Sequence, residues 1–215
     1  MKVDISASYI NDKREARGRK TTETDPVSYA SQSRREDSNA AHSGQDFREA
    51  SLPAIIEHIT TTHHAYLRAE FPRVSRMLER LIAVSGSVCP KLLTLGSLFG
   101  SLRHSLEPHM LKEEAILFPC IRQVERAGTP SPTLLDALVN VSRMMEREHK
   151  DTVALLSGIR ELTLDYSDSE LTDLGCLPLM ESLERMERDT LLHIREEEGA
   201  LFPRARCLTE QKSAG

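Results

Sequence analysis

The chain contains no tryptophan, and aromatic residues make up only 4% of its 215 positions. Strands draw on aromatic and β-branched side chains to cover a pleated face. This poverty, with Leu dominating the apolar set, points away from sheets and toward helices. No alternating apolar–polar pattern competes with that reading. No apolar run approaches the roughly 18 residues of a membrane helix, and the N-terminus has no apolar segment of the secretory kind. Positive charge is not in excess either: 28 Lys and Arg stand against 33 Asp and Glu, a net charge of -5. That removes the case for a nucleic-acid or membrane partner. The four cysteines, Cys89, Cys120, Cys176 and Cys207, form no Cys-x-x-Cys pair. They read as reduced thiols of a cytoplasmic protein, and a zinc or iron–sulfur site built from Cys is not expected.

Residues 1–50 hold nine basic residues, nine acidic residues and ten Ser or Thr. No helical or strand period runs through them, so a flexible N-terminal tail is expected there. At Ser51-Leu52-Pro53 the character changes to a helix start, with Ser capping and Pro in the first turn. Four long helical segments follow. The first runs to about Val84, the second from Pro90 to before Ala127, the third from Pro132 to Asp165, and the fourth from Leu177 to Cys207. The breaks are rich in Gly, Pro and Ser, which stop helices. Short connections predict an all-α, up-down-up-down four-helix bundle over residues 51–207, with 208–215 as a C-terminal tail.

Within these segments one pattern occurs twice. His109-Met-Leu-Lys-Glu113-Glu-Ala-Ile-Leu-Phe-Pro119 returns as His193-Ile-Arg-Glu-Glu197-Glu-Gly-Ala-Leu-Phe-Pro203. A His and a Glu four apart share a helix face, so imidazole and carboxylate converge. In the second segment the apolar seam reads Leu92, Leu95, Phe99, Leu102, Leu106, His109, Glu113, Ile116 and Cys120. The fourth reads Leu179, Leu183, Met186, Thr190, His193, Glu197 and Ala200. The first segment's stripe, His64, Leu67, Phe71, Val74, Leu78 and Leu81, selects His64 over its neighbour His63. The third places His149 inward with Leu138, Met145, Leu156 and Ile159.

Four imidazoles and two carboxylates in bundle seams need partners. A carboxylate left unpaired in a dry core costs several kcal/mol, in a domain with roughly 5–15 kcal/mol of stability. Metal cations remove that cost, and His64, His109, Glu113, His149, His193 and Glu197 are the expected ligands. Six nitrogen and oxygen donors exceed what one tetrahedral zinc takes. They suit two ions bridged by Glu113 and Glu197, with two His each and room for an oxo or hydroxo bridge and a small ligand. Imidazole with carboxylate favours iron over manganese or zinc. With few carboxylates, the site suits reversible diatomic binding, redox cycling or iron release better than oxidising activation of oxygen. No conventional catalytic turnover is implied. His58, His63 and His104 fall at the edges of the seams and are read as surface residues or supports for the ligands. Glu114 and Glu198, turned by about 140° from their histidines, are expected to face outward or to hydrogen-bond ligands. Glu148 is solvated, or orients the adjacent His149 ring, or lines an access path. Pro119 and Pro203 are expected to bend or end their helices just beyond the site.

The chain resembles a hemerythrin-like (HHE) domain, and more closely the repair-of-iron-centres family. The resemblance covers residues 50–207. It rests on His63-His64-x-x-Leu67-Arg68, His109-Met110-x-Lys112-Glu113-Glu114-x-x-Leu117-Phe118-Pro119, Glu148-His149, and His193-x-x-x-Glu197-x-x-x-Leu201-Phe202-Pro203-Arg204-Ala205. It implies a di-iron protein, made under nitric-oxide or oxidative stress, that helps restore damaged iron–sulfur proteins by supplying iron. The family's ligands fall on the same six residues. The alternative is a protein that binds or senses nitric oxide or dioxygen, working as a monomer or dimer. Many members carry a small Cys-containing N-terminal domain, whereas this chain has no Cys before Cys89.

Overall fold

A computed structural model describes residue 47 and residues 49–213. The tail expected over residues 1–50 lies almost wholly outside the described residues. Those residues form four long helices and one short one, with no strand among them. Three of the four long helices are interrupted by a wider, π-helical turn. The first comprises Leu52–His58, the π turn Ile59–His64 and Ala65–Ser85. The second comprises Lys91–Lys112, the π turn Glu113–Leu117 and Phe118–Arg126. The third, Pro132–Leu162, is continuous. The fourth comprises Leu177–Glu196, the π turn Glu197–Leu201 and Phe202–Ser213. Ser51 and Ser131 cap the first and third helices by accepting from the amides of Ala54 and Leu134. No helix among the described residues is long and apolar enough to cross a membrane.

Consecutive long helices pack against one another, and the first closes the ring against the fourth. The start of the first helix lies against the ends of the second and fourth, as up-down-up-down order requires. The expected all-α bundle is the observed fold. Its ends differ from expectation in two places. The third helix stops at Leu162, because Leu164, Asp165 and Tyr166 take left-handed backbone angles (φ 51, 54 and 62°) and turn the chain toward an unforeseen short helix, Ser169–Asp173. The fourth helix runs past Pro203 and past Cys207 to Ser213.

The prolines explain two of the three wide turns. In an α-helix the amide of residue 119 would bond the carbonyl of residue 115, but Pro119 has no N–H. Instead the helix widens before it and the Phe118 amide reaches back five residues to Glu113 O. Pro203 and Phe202, reaching Glu197 O, repeat the arrangement. The prolines therefore widen their helices without ending them. In the first helix the hydroxyls of Thr60 and Thr61 donate to the carbonyls of Ile56 and Glu57 at 2.8 and 2.7 Å, which competes with the backbone ladder.

A π turn uses an extra residue, so the apolar seam slips by one. Beyond Glu113 the interior positions are Leu117, Ile121 and Val124; Ile116, expected inside, is 48% exposed, and Cys120 is only half-buried. Beyond Glu197 the fourth helix likewise buries Leu201 and Phe202, with Ala200 only partly buried. The apolar interior forms two clusters. One holds Leu67, Phe71, Phe99, Leu106, Leu156 and Met186. The other holds Ile55, Ile59, Leu117, Phe118, Leu138, Met145 and Phe202. On every long helix the inward His lies between residues of these two clusters, so a polar layer divides the core.

Candidate metal centre

The polar layer is built from His64 on the first helix, His109 and Glu113 on the second, His149 on the third, and His193 and Glu197 on the fourth. All six are 1% exposed or less. His109 Nε2 lies 3.1 Å from Glu113 Oε1, and His193 Nε2 lies 3.1 Å from Glu197 Oε1, each within its own helix. The other carboxylate oxygens reach across the bundle. Glu113 Oε2 lies 3.2 Å from His64 Nε2 and 3.9 Å from His193 Nε2, while Glu197 Oε2 lies 3.1 Å from His149 Nε2. Two groups of donors result, His64–Glu113–His193–Glu197 and His109–Glu113–His149–Glu197, each with its donor atoms within 4.8 Å of one another. Both carboxylates belong to both groups.

These approaches are close, yet they are poor hydrogen bonds. Both oxygens of Glu113, both oxygens of Glu197, and Nε2 of His64 and His193 are buried without a hydrogen-bond partner among the described residues. His109 Nε2 and His149 Nε2 point at each other across 3.2 Å. Buried polar atoms are almost always satisfied, so orphaned atoms converging on shared points mark where something else binds. Imidazole nitrogens with carboxylate oxygens are the donor chemistry of iron, manganese and zinc, and the residues fit a resident pair of cations.

The outer nitrogens of the rings are held separately. Glu114 Oε1 accepts from His64 Nδ1 at 2.7 Å, Glu148 Oε2 from His109 Nδ1 at 2.9 Å, and Glu198 Oε1 from His149 Nδ1 at 3.0 Å. Such bonds select the tautomer that leaves Nε2 free for a metal. Arg68 donates to Glu114 at 2.8 Å and Lys112 donates to Glu148. Glu114 and Glu198 thus hydrogen-bond rings on neighbouring helices. Glu148 holds His109 on the second helix, not the adjacent His149, because successive residues point to different sides of a helix. His193 has no carboxylate on its Nδ1 among the described residues; its ring is stacked on His63 at 5.5 Å with a 9° interplanar angle. His63, expected near the edge, is fully buried and bonded to Asp189 and Glu196, two carboxylates that the seam pattern does not point to.

The charges are arranged to exchange protons for metal. Burial lowers the pKa of His64, His109 and His149, but the carboxylates around them outweigh it and raise all three, His149 to about 10. Burial raises Glu197, but the charges and close contacts of His193 and His149 hold it well below the usual carboxylate range. Without cations, protons on the rings balance the buried carboxylates; a cation held by these residues would take their place and release them. For Glu148, partial burial acts upward, and Lys112 and His109 overcome it to keep the carboxylate ionised. Replacing Glu148 with Gln is expected to weaken metal affinity by about 10–100-fold while sparing the helical fold. Chelator competition measures this, and an unchanged affinity would remove Glu148 from the support of His109.

Comparison with known proteins adds a family. Residues 55–205 match the hemerythrin HHE cation binding domain. The iron-sulfur cluster repair protein YtfE of Edwardsiella ictaluri is 31% identical over 163 residues, covering 75% of this chain and 69% of its own length. YtfE of Escherichia coli O157:H7 is 32% identical over 164 residues, with the same coverage. The iron-sulfur cluster repair protein ScdA of Staphylococcus epidermidis is 28% identical over 154 residues, 71% of this chain and 66% of its own length.

Proposed function

Because the chain belongs to the hemerythrin HHE cation-binding domain family, we propose that it is a non-haem di-iron protein that restores iron–sulfur clusters damaged by nitrosative or oxidative stress, by supplying iron to them. The observation that carries this reading is the pair of overlapping donor groups, His64–Glu113–His193–Glu197 and His109–Glu113–His149–Glu197, in a chain similar to proteins named for cluster repair. Iron held there supplies exchangeable ferrous ions for rebuilding a cluster. The donor set favours release: four neutral imidazoles and two shared carboxylates neutralise two divalent cations only in part. As iron leaves, His64, His109 and His149 take up protons, which keeps Glu113 and Glu197 from remaining as bare buried anions. Glu114, Glu148 and Glu198 hold three of the rings in register while the ions exchange.

The expected result is that iron-loaded protein restores activity to a nitric-oxide-damaged cluster enzyme faster than an equal amount of free ferrous iron. Equal recovery would dismiss repair by supply. A second reading, a binding or sensing protein for nitric oxide or dioxygen, has one observation in its favour. Each group offers four donor residues from the chain, fewer than a six-coordinate ion accepts. Optical spectra of the ferrous protein with each gas test it, and the absence of a stable adduct would count against it.

A further inference from the structure

Beside the paired groups is a third gathering of donors. His58 and His63 are five positions apart, which on a regular α-helix turns them about 140° from one another. The π turn Ile59–His64 closes that angle, and the two rings meet edge to face at 5.5 Å. From the fourth helix, Glu196 Oε2 approaches both, 3.3 Å from His58 Nε2 and 3.1 Å from His63 Nε2. The three donor atoms lie within 4.8 Å of one another. Behind them Asp189 Oδ1 accepts from His63 Nδ1 at 2.9 Å, the same outer-nitrogen bond that orients His64, His109 and His149. The other Asp189 oxygen is buried with no hydrogen-bond partner among the described residues.

We propose that His58 Nε2, His63 Nε2 and the Glu196 carboxylate form a third cation site, for a divalent first-row transition metal. Two imidazoles and one carboxylate on one side of an ion, with open positions opposite, form a donor set that ferrous iron takes readily. His63 and Glu196 are buried, at 1% and 6% exposure, but His58 is 23% exposed, so the open side leads outward. The paired groups have no member so exposed. Without a cation, His63 donates from Nδ1 to Asp189 and from Nε2 to Glu196. Uptake of the cation sends the Nε2 proton to solvent and puts a metal–nitrogen bond in its place, while Asp189 keeps the other. His63 is next to His64 in sequence and stacks on His193, so the third site flanks the group formed by those two histidines. This inference stands on its own geometry and does not depend on the repair reading.

The test is an anaerobic titration of the metal-free full chain with cobalt(II), followed by calorimetry and equilibrium dialysis. Wild-type protein should take up three equivalents, one for each donor group. His58→Gln and Glu196→Gln should each lose one equivalent, keep the other two, and leave the helical circular dichroism unchanged. His58 lies near the surface, so its variant folds even if the substitution at Glu196 disturbs packing. Two equivalents in the wild type would overturn the proposal, as would a third equivalent that survives both substitutions. Loss of all equivalents from a well-folded His58→Gln protein would also overturn it, by making these residues part of the paired site.

Discussion

Replacing Glu113 with Ala is expected to remove both ions of the paired centre. Each of the two donor groups contains Glu113 and Glu197, whereas each histidine belongs to only one group. Loss of a shared carboxylate therefore leaves two incomplete sets, and the remaining anion cannot balance two divalent cations in a buried site. His64→Ala, by contrast, is expected to cost about one equivalent, since His109 and His149 keep their group intact. Glu198→Gln removes only the acceptor on His149 Nδ1 and should weaken binding by about 10–100-fold at saturable sites. Elemental analysis after reconstitution, with circular dichroism to verify the fold, separates these outcomes. If Glu113→Ala protein retained more than the one equivalent held by His58, His63 and Glu196, Glu113 would not serve both groups.

Metal removal is expected to make the protein's stability depend on pH in a way the loaded protein does not share. In the metal-free protein the pKa of His149 is raised to about 10, because Glu197 and Glu198 outweigh its burial. A group whose pKa is raised on folding adds stability that is fully present below its unfolded value, near 6.5, and is lost as pH climbs through the folded value. The window is therefore about pH 6.5 to 10, and the loss is on the order of a few kcal/mol. His63, raised to about 9 by Asp189 and Glu196 against its burial, adds a loss in the same direction. When metal occupies the pair, His149 would have no Nε2 proton to lose, and binding itself adds about 4 kcal/mol per site at a thousandfold excess over Kd. For a domain of this size that corresponds to roughly 10 °C in Tm. Thermal melts of loaded and metal-free protein at pH 6.5 and 9.5 should show a gap that widens with pH. A constant gap would mean that the rings do not exchange protons for metal.

Much of this architecture could be read from residue spacing, because its governing pattern is local. His109 and Glu113, and His193 and Glu197, stand four apart, and each Glu is the residue at which the wide turn begins. The helical period therefore applies to them without correction. Past those glutamates the same period fails. It placed Ile116 inside where Leu117 is found, and no helical wheel anticipates an extra residue in one turn. The signal was nonetheless present: two prolines, each six positions after a buried Glu, remove an amide at the place where the helix must widen. His63, Asp189 and Glu196 were missed for a different reason. Their meeting depends on how the first helix lies against the fourth, and on a wide turn induced by threonines whose hydroxyls compete with the backbone. The partner of Glu148 is a tertiary fact of the same kind.

The division of donors between helices also sets the timing of metal capture. The first two helices contribute His64, His109 and Glu113; the last two contribute His149, His193 and Glu197. Each four-residue group takes donors from both pairs, and both groups require Glu197. No fragment that ends before the fourth helix holds a complete group. A chain emerging from the ribosome therefore has no finished site until Glu197 has been made, and a cation would enter only once the fourth helix has docked. Loading reports a completed fold, and an ion cannot be trapped in a half-made one.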